Sequence, residues 1–502
     1  MYWDNRPIRP KPEPARPAEN GMGTSLIRFV LLLAVAVYIA HYTAAVVTTV
    51  FFIATLIFYY RSKGEEPFWF AFFLVIQDGI FGYFINFENL VYVFPGLPAV
   101  EAGQLYIGVT ILKASRVKEG GFRPFYFDYL LLLLIYLIFL VVQGYVWGVS
   151  TELNIQFRII KFILPLFLLY SLPKLMDVEK QYADILYYLF PITFTILATQ
   201  VFTILNGISP AQYLGINVET NHLFFVSKDV AYRGFFNDAV LLITLLGSFL
   251  MLSKQDNRFS NSYIYLVIIS IFFSIFLSAT RGWILGFFAV FFGFLFFVSK
   301  VKPIQSVKMV VISTIIVAGL YSFPIIKIQV DNAWERLMTL QALAKGDLTA
   351  GGTLLRLERR SPLVMKRWAE SPLTGIGFSD DFFHYGDRHV ANQNILLQTG
   401  IVGAALLLVF FLRFLWKLFV KSAGLPKQHP RKKEFKVFLF FFGGWFLIHS
   451  LTSQQFAFYA EPHVGMVIAY FFSLTALTYR NCGEEKQEFR SRTPRKLEYV
   501  KV

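Results

Sequence analysis

Apolar segments of about 16 to 24 residues recur along the whole chain, separated by short polar links. These lengths bracket the roughly 20 residues that a single helix needs to cross a bilayer core at about 1.5 Å of rise per residue. The pattern predicts helices near 26–41, 43–60, 68–86, 97–113, 127–148, 154–173, 184–205, 236–253, 262–279, 282–299, 307–324, 394–416, 436–453 and 462–479. These are about fourteen spans, an even number, so both ends of the chain fall on one side of the membrane. The longest run, Tyr263 to Val298, would measure about 54 Å as one helix, almost twice the hydrocarbon thickness, and must fold back near its middle. "SATRG", residues 278–282, supplies the small residues and glycine for that turn, and Arg281 is the only charge in the run.

Charge orders these segments. The links "RSK", "KASRVKEGGFR", "PKLMDVEK", "SKQDNR", "SKVKPIQSVK" and "KSAGLPKQHPRKKEFK" and the C-terminal "YRNCGEEKQEFRSRTPRK" are basic. The alternating links "NFENLVYVFPGLP", "GVSTELN" and "SQQFAFYAEP" hold no lysine or arginine. Basic links mark the cytoplasmic side, so both termini are expected there and Arg281 on the outer face. A Pro-rich basic segment, residues 1–25, is expected as a disordered cytoplasmic tail. The integral membrane domain is expected over 26–479, and a cytoplasmic tail over 480–502.

Composition narrows the class further. Of 502 residues 56% are hydrophobic and only 16% charged, which fits a multi-pass membrane protein and leaves no stretch for an independent soluble domain. The formal net charge of +15 lies mainly in the links, so it reads as membrane topology and not as a nucleic-acid surface. One cysteine, Cys482, excludes an internal disulfide and a cysteine-rich metal site.

Two outer links depart from the charge rule: roughly 206–235 and, much longer, 325–393. Within the second, "DNAWERLMTLQALAKGD" and "TLLRLERRSPLVMKRWAESPLTGIGF" both read as amphipathic helices, the latter carrying Arg356, Arg359, Arg360, Lys366 and Arg367. Outer arginines ask for an anionic partner such as a diphosphate or lipid headgroup, because a guanidinium fork matches phosphate oxygens. A solvated face with Arg–Glu pairing through Glu335, Glu358 or Glu370 is the plainer alternative. His389 and Gln393, four residues apart at the entry to the next span, share a face there, and a histidine so placed suits a general base. His384 competes for that role, Asp380 and Asp381 are a weak cation pair, and Arg233 precedes the helix near Phe236. No phosphate loop, HExxH or Gly-x-Ser-x-Gly pattern is present.

Four segments together resemble the superfamily of O-antigen ligases and Wzy-type O-antigen polymerases, over roughly residues 180 to 475. They are "SATRG" between two spans, "ESPLTGIGF" ending an Arg-containing loop helix, "NILLQTGIVG" entering the next span, and "YRGFFNDA" before an earlier one. The resemblance implies an all-α, GT-C-like fold with a large periplasmic loop at 325–393. It also implies a metal-independent glycosyltransferase without cofactor in the bacterial inner membrane, acting in polysaccharide or lipopolysaccharide synthesis. Such enzymes move a glycan from undecaprenyl pyrophosphate to an acceptor hydroxyl on a glycan, a lipid A core or a protein. It further implies pyrophosphate binding by Arg281, Arg233 and Arg356, with Arg359, Arg360, Gln393 and Asn394 in support and His389 as base. The family's His-Asn pair reads Gln393-Asn394 here, and Gly234 follows Arg233 without the usual spacer. The rival expectation is a transporter or flippase of lipid-linked oligosaccharides, with repeated halves and interrupted helices.

Overall fold

The computed structural model describes residues 19–79, 90–92, 98–117, 122–206, 210–213, 215, 224–226, 232–234, 238–254, 258–278, 280–299, eleven positions between 319 and 338, 355–387, 390, 392–447, 457–458 and 461–492. Helix dominates these residues; the strands described form two short antiparallel hairpins, β1 (Leu90–Val91) with β2 (Val100–Glu101) and β3 (Phe224–Val226) with β4 (Tyr232–Gly234). The helices before the second hairpin are α1 (Glu19–Tyr42), α2 (Ala45–Arg61), α3 (Glu66–Gln77), α4 (Ala102–Arg116), α5 (Phe127–Trp147), α6 (Leu153–Ile163), α7 (Leu168–Leu175), α8 (Glu179–Asn206) and the short α9 (Pro210–Tyr213). After it come α10 (Asp238–Lys254), α11 (Asn261–Leu277), α12 (Arg281–Gly293), α13 (Leu355–Trp368), α14 (Asp380–Tyr385), α15 (Gln393–Ala423), α16 (Pro430–Phe441) and α17 (Pro462–Arg492).

Seven helical stretches among the described residues are long and apolar enough to cross a membrane: Gly23–Tyr42, Phe127–Trp147, Leu153–Leu175, Glu179–Asn206, Gly282–Ser299, Gln393–Ala423 and Pro462–Gly483. Ala45–Arg61, Glu66–Gln77 and Asn261–Leu277 are shorter apolar helices. The protein is therefore a helical multi-pass membrane protein. Its core is aromatic: Phe414, for example, stacks on Phe125 at 5.3 Å and meets Phe472 at 4.4 Å between ring centres.

The turn expected at "SATRG" is present. Ser278 caps the end of α11 and bonds back to Ile275 O at 2.6 Å, and the amides of Trp283 and Ile284 both reach Thr280 O at 3.1 Å, starting α12 at Arg281. Other boundaries differ for local reasons. Helix α3 stops at Gln77 and not near 86, because Gly79 adopts φ 82° and turns the chain. Helix α4 begins at Ala102 and not at 97, because the Glu101 and Gln104 side chains form a reciprocal capping box. Helix α16 starts earlier than expected, at Pro430, where proline fits the first turn and His429 Nδ1 accepts from the Arg431 amide. Helix α1 reaches back to Glu19, into the segment expected as tail, and α17 runs on to Arg492 because Glu, Lys, Gln and Arg after position 483 all favour helix. Most of the expected helix 307–324 lies outside the described residues.

The links gather at two ends. At one end Glu179 of α8 receives Arg431 at 2.7 Å and Lys254 at 2.5 Å, Glu434 receives the same two cations at 3.2 and 3.1 Å, and Asn481 adds a bond to Glu179 at 2.9 Å. Arg480 donates to Asp177 O, and Lys113 pairs with Glu66 at 3.0 Å at this same basic end. At the opposite end Asp78 meets the start of α10, and the amide of Asp380 bonds to Gly148 O at 3.0 Å.

Candidate functional site

The segments of interest meet at the opposite end, and its frame is an interlock of two of them. In "SPLTGIGF" the amides of Ile376 and Gly377 donate to Leu397 O and Gln398 O at 3.0 and 2.9 Å, and the amide of Phe378 to Leu140 O at 3.2 Å. In return, Ile401 and Val402 of "NILLQTGIVG" donate to Pro372 O and Leu373 O at 2.9 and 3.1 Å. This exchange requires a break in α15, and Gly400 provides it at φ 60°. A side chain on Gly400 would lie 2.3 Å from the Leu373 backbone, and one on Gly377, at φ 61°, 2.3 Å from Leu140 O. The glycines in both segments are therefore set by backbone-to-backbone approach. Gln143 Nε2 and Tyr136 OH, from α5, bond to Gly375 O at 3.1 Å and Thr399 O at 2.8 Å and fix the interlock from a third side.

On this frame sits the arginine-rich helix α13, which forms as its amphipathic pattern predicts. Arg360 pairs with Asp387 at 2.9 Å, and Asn394 closes a reciprocal ring with the Asp387 backbone, its Oδ1 accepting at 2.9 Å and its Nδ2 donating to Asp387 O. Arg360 and Asn394 thus hold the loop's exit against α15. Arg367 is neutralised by Glu370 and Asp381 and lies 5.2 Å from the Trp147 ring. Asp381 is thereby committed to an ion pair, and the Arg–Glu pairing foreseen at Glu370 is present. Arg359 is exposed and has no ion-pair partner among the described residues. Gln393 Oε1 is buried without a hydrogen-bond partner among the described residues.

Arg281 is the first residue of α12, Arg233 sits in β4 opposite Phe225, and Arg356 is the second residue of α13. These three are described by their backbones alone, and His389 lies outside the described residues. His384 lies in the last turn of α14, exposed, with its ring 4.8 Å from Tyr385.

A cluster that the sequence pattern did not single out lies at this end. Asp78 after α3, Asp238 opening α10 and His463 in the first turn of α17 bring one ligand atom each within 4.8 Å of the others. His463 Nε2 is 3.9 Å from Asp238 and 3.7 Å from Glu461. Asp78 also accepts from the amides of Ala239 and Val240 at 3.3 and 3.0 Å, capping α10. Burial, followed by the neighbouring Asp238 carboxylate, pushes the Asp78 carboxyl well above the usual carboxylate range. Two carboxylates and an imidazole so close can share a proton or coordinate a divalent cation. Each of the three stands at the edge of an apolar run, in "VIQDG", "FFNDA" and "AEPHVG", which is the only trace of the cluster in the sequence.

Fold and site together define a helical multi-pass membrane protein with a polar, arginine-bearing end built around an interlocked loop. No family model, curated protein or solved structure matches the chain.

Proposed function

We propose that the chain is a membrane glycosyltransferase of the O-antigen ligase or polymerase kind. It moves a glycan from an undecaprenyl-pyrophosphate carrier to an acceptor hydroxyl on the periplasmic face, with about fourteen spans and both termini in the cytoplasm. The supporting observation is the interlock, in which "SPLTGIGF" and "NILLQTGIVG", two segments on which the resemblance rests, form one rigid unit that carries α13. The hairpin turn that starts α12 at Arg281 lies at the end away from the basic links, as an outer-face role requires.

In this reading Arg281, Arg233 and Arg356 bind the pyrophosphate, whose charge grows as the anomeric C–O bond breaks. His389 takes the proton of the attacking acceptor hydroxyl. Asn394 and Arg360 act as positioning residues for the loop that carries His389, and Arg359 and Gln393 are further polar groups at its edge. The chemistry needs neither metal nor cofactor.

Transfer from purified lipid-linked donor tests the reading directly. Loss of transfer in Arg281→Ala with partial retention in Arg281→Lys is expected; wild-type rates in both would end the proposal. The polysaccharide profile of a deletion strain separates acceptors: loss of long chains with single-repeat product retained means polymerase, and unattached polymer on carrier lipid means ligase. The break at Gly400 is also a feature a flippase would use. Donor movement across vesicles without glycosidic bond formation would favour that second reading.

A further inference from the structure

At the basic end, far from the proposed catalytic face, the ends of α2, α4 and α7 and the start of α8 enclose an open cavity of about 550 Å³. Five basic side chains line it, Arg61, Lys63, Lys113, Arg116 and Lys174, against two carboxylates, Glu66 and Asp177. Lys113 is spent internally: it pairs with Glu66 at 3.0 Å and donates to Tyr59 O at 2.9 Å. Arg61 and Lys63 are exposed and have no ion-pair partner among the described residues, while Arg116 lies 5.0 Å from the Tyr60 ring and Lys174 4.5 Å from that of Tyr170. The cavity therefore holds an excess of positive charge carried by side chains from three separate helices. Guanidinium forks and ammonium groups set around a pocket of this kind match a phosphodiester.

The surface next to the cavity decides which phosphodiester. Phe58, 67% exposed, lies one turn before Arg61 on α2, and Leu112, 60% exposed, one turn before Arg116 on α4. Apolar surface thus runs directly up to the basic rim on two helices, as an acyl chain and its headgroup require. We propose that this cavity is a binding site for the headgroup of an anionic phospholipid, whose chains lie along Phe58 and Leu112. The proposal does not rest on the glycosyltransferase reading.

Full-length protein in phosphatidylcholine nanodiscs with a minor share of phosphatidylglycerol provides the test, read as phosphatidylglycerol retained by the protein in native mass spectrometry. Both arginines are exposed, and an unchanged unfolding temperature will confirm that the variants fold. Arg61→Gln with Arg116→Gln is expected to lower retention roughly tenfold or more, since each basic group near anionic lipid matters several-fold. Lys427→Gln with Lys433→Gln, exposed cations of the same end outside the cavity, is expected to leave it unchanged. Equal loss in both pairs, or none in the cavity pair, overturns the proposal, because general attraction to a basic face would then account for the retention. Saturable binding of inorganic pyrophosphate that the cavity pair abolishes, without phosphatidylglycerol retention, also overturns it, in favour of a soluble phosphate ligand.

Discussion

Arg281 and Asp78 pose opposite electrostatic problems at one end of the molecule. An arginine as the first residue of a helix between two apolar runs brings a cation to the positive end of that helix dipole, a combination that favours an anionic ligand. For a pyrophosphate-binding role, Arg281→Ala should reduce transfer by about a hundredfold or more, the scale on which single transition-state donors act. Arg281→Lys should recover part of that, since charge returns without the fork. Asp78 accepts helix amides while facing a second carboxylate, and its raised pKa means the folded protein favours its protonated form. With the folded value above the unfolded one, that contribution is complete below the ordinary carboxylate range and is lost as pH rises through the folded value. Asp78→Asn keeps an acceptor for Val240 and gains a donor toward Asp238. It should therefore flatten the fall in unfolding temperature as pH rises above the ordinary carboxylate range, whereas Asp78→Ala should cost about 1–3 kcal/mol by leaving the α10 amides unpaired. If a divalent cation occupies the Asp78–Asp238–His463 cluster, chelation should lower the unfolding temperature of the wild type and leave His463→Ala unaffected.

At the scale of elements, the interlock between residues 371–379 and the break in α15 is the feature most sensitive to single atoms. Gly400→Ala forces a left-handed residue to carry a Cβ 2.3 Å from the Leu373 backbone, so that either the loop or the helix must move. A loss of about 2–4 kcal/mol is expected from strain together with broken backbone bonds, read by thermal unfolding, and with it faster proteolysis of the 355–387 segment. The Arg360–Asp387 pair predicts the reverse: Arg360 is 44% exposed, so a double-mutant cycle should give at most about 1 kcal/mol of coupling in stability. An effect on transfer beyond that would mark loop positioning, not fold.

At the scale of the whole molecule, the basic end is tied by charge. Glu179 and Glu434, at 17% and 3% side-chain exposure, sit between Lys254 and Arg431 and so join α8, α10 and α16. Removing the Glu179 charge leaves Lys254 and Arg431 to share Glu434 alone, so Glu179→Gln should destabilise the bundle by about 1–3 kcal/mol, measured in detergent. Topology has its own test: cysteines introduced at positions 281 and 427 should label from opposite sides of sealed vesicles, against a quiet background because the single native cysteine, Cys482, is buried.

The sequence by itself determined that the chain is built from apolar helices joined by links of contrasting charge. Span length is set by bilayer thickness and link charge by the membrane's asymmetry, both local properties, so the "SATRG" turn and the amphipathic helix at 355–368 could be read without coordinates. It also marked "SPLTGIGF" and "NILLQTGIVG" as segments of interest, but not that they bond to each other, because backbone pairing across separate elements leaves only a trail of glycines. The tertiary structure alone decided what depends on distance between remote positions. It assigned Arg360 and Asn394 to Asp387, paired Arg367 with Asp381, and joined Asp78, Asp238 and His463 from the ends of three helices. No period or spacing along the chain encodes such meetings; they follow from how apolar faces pack, and the polar residues at the ends of those helices are carried together by that packing.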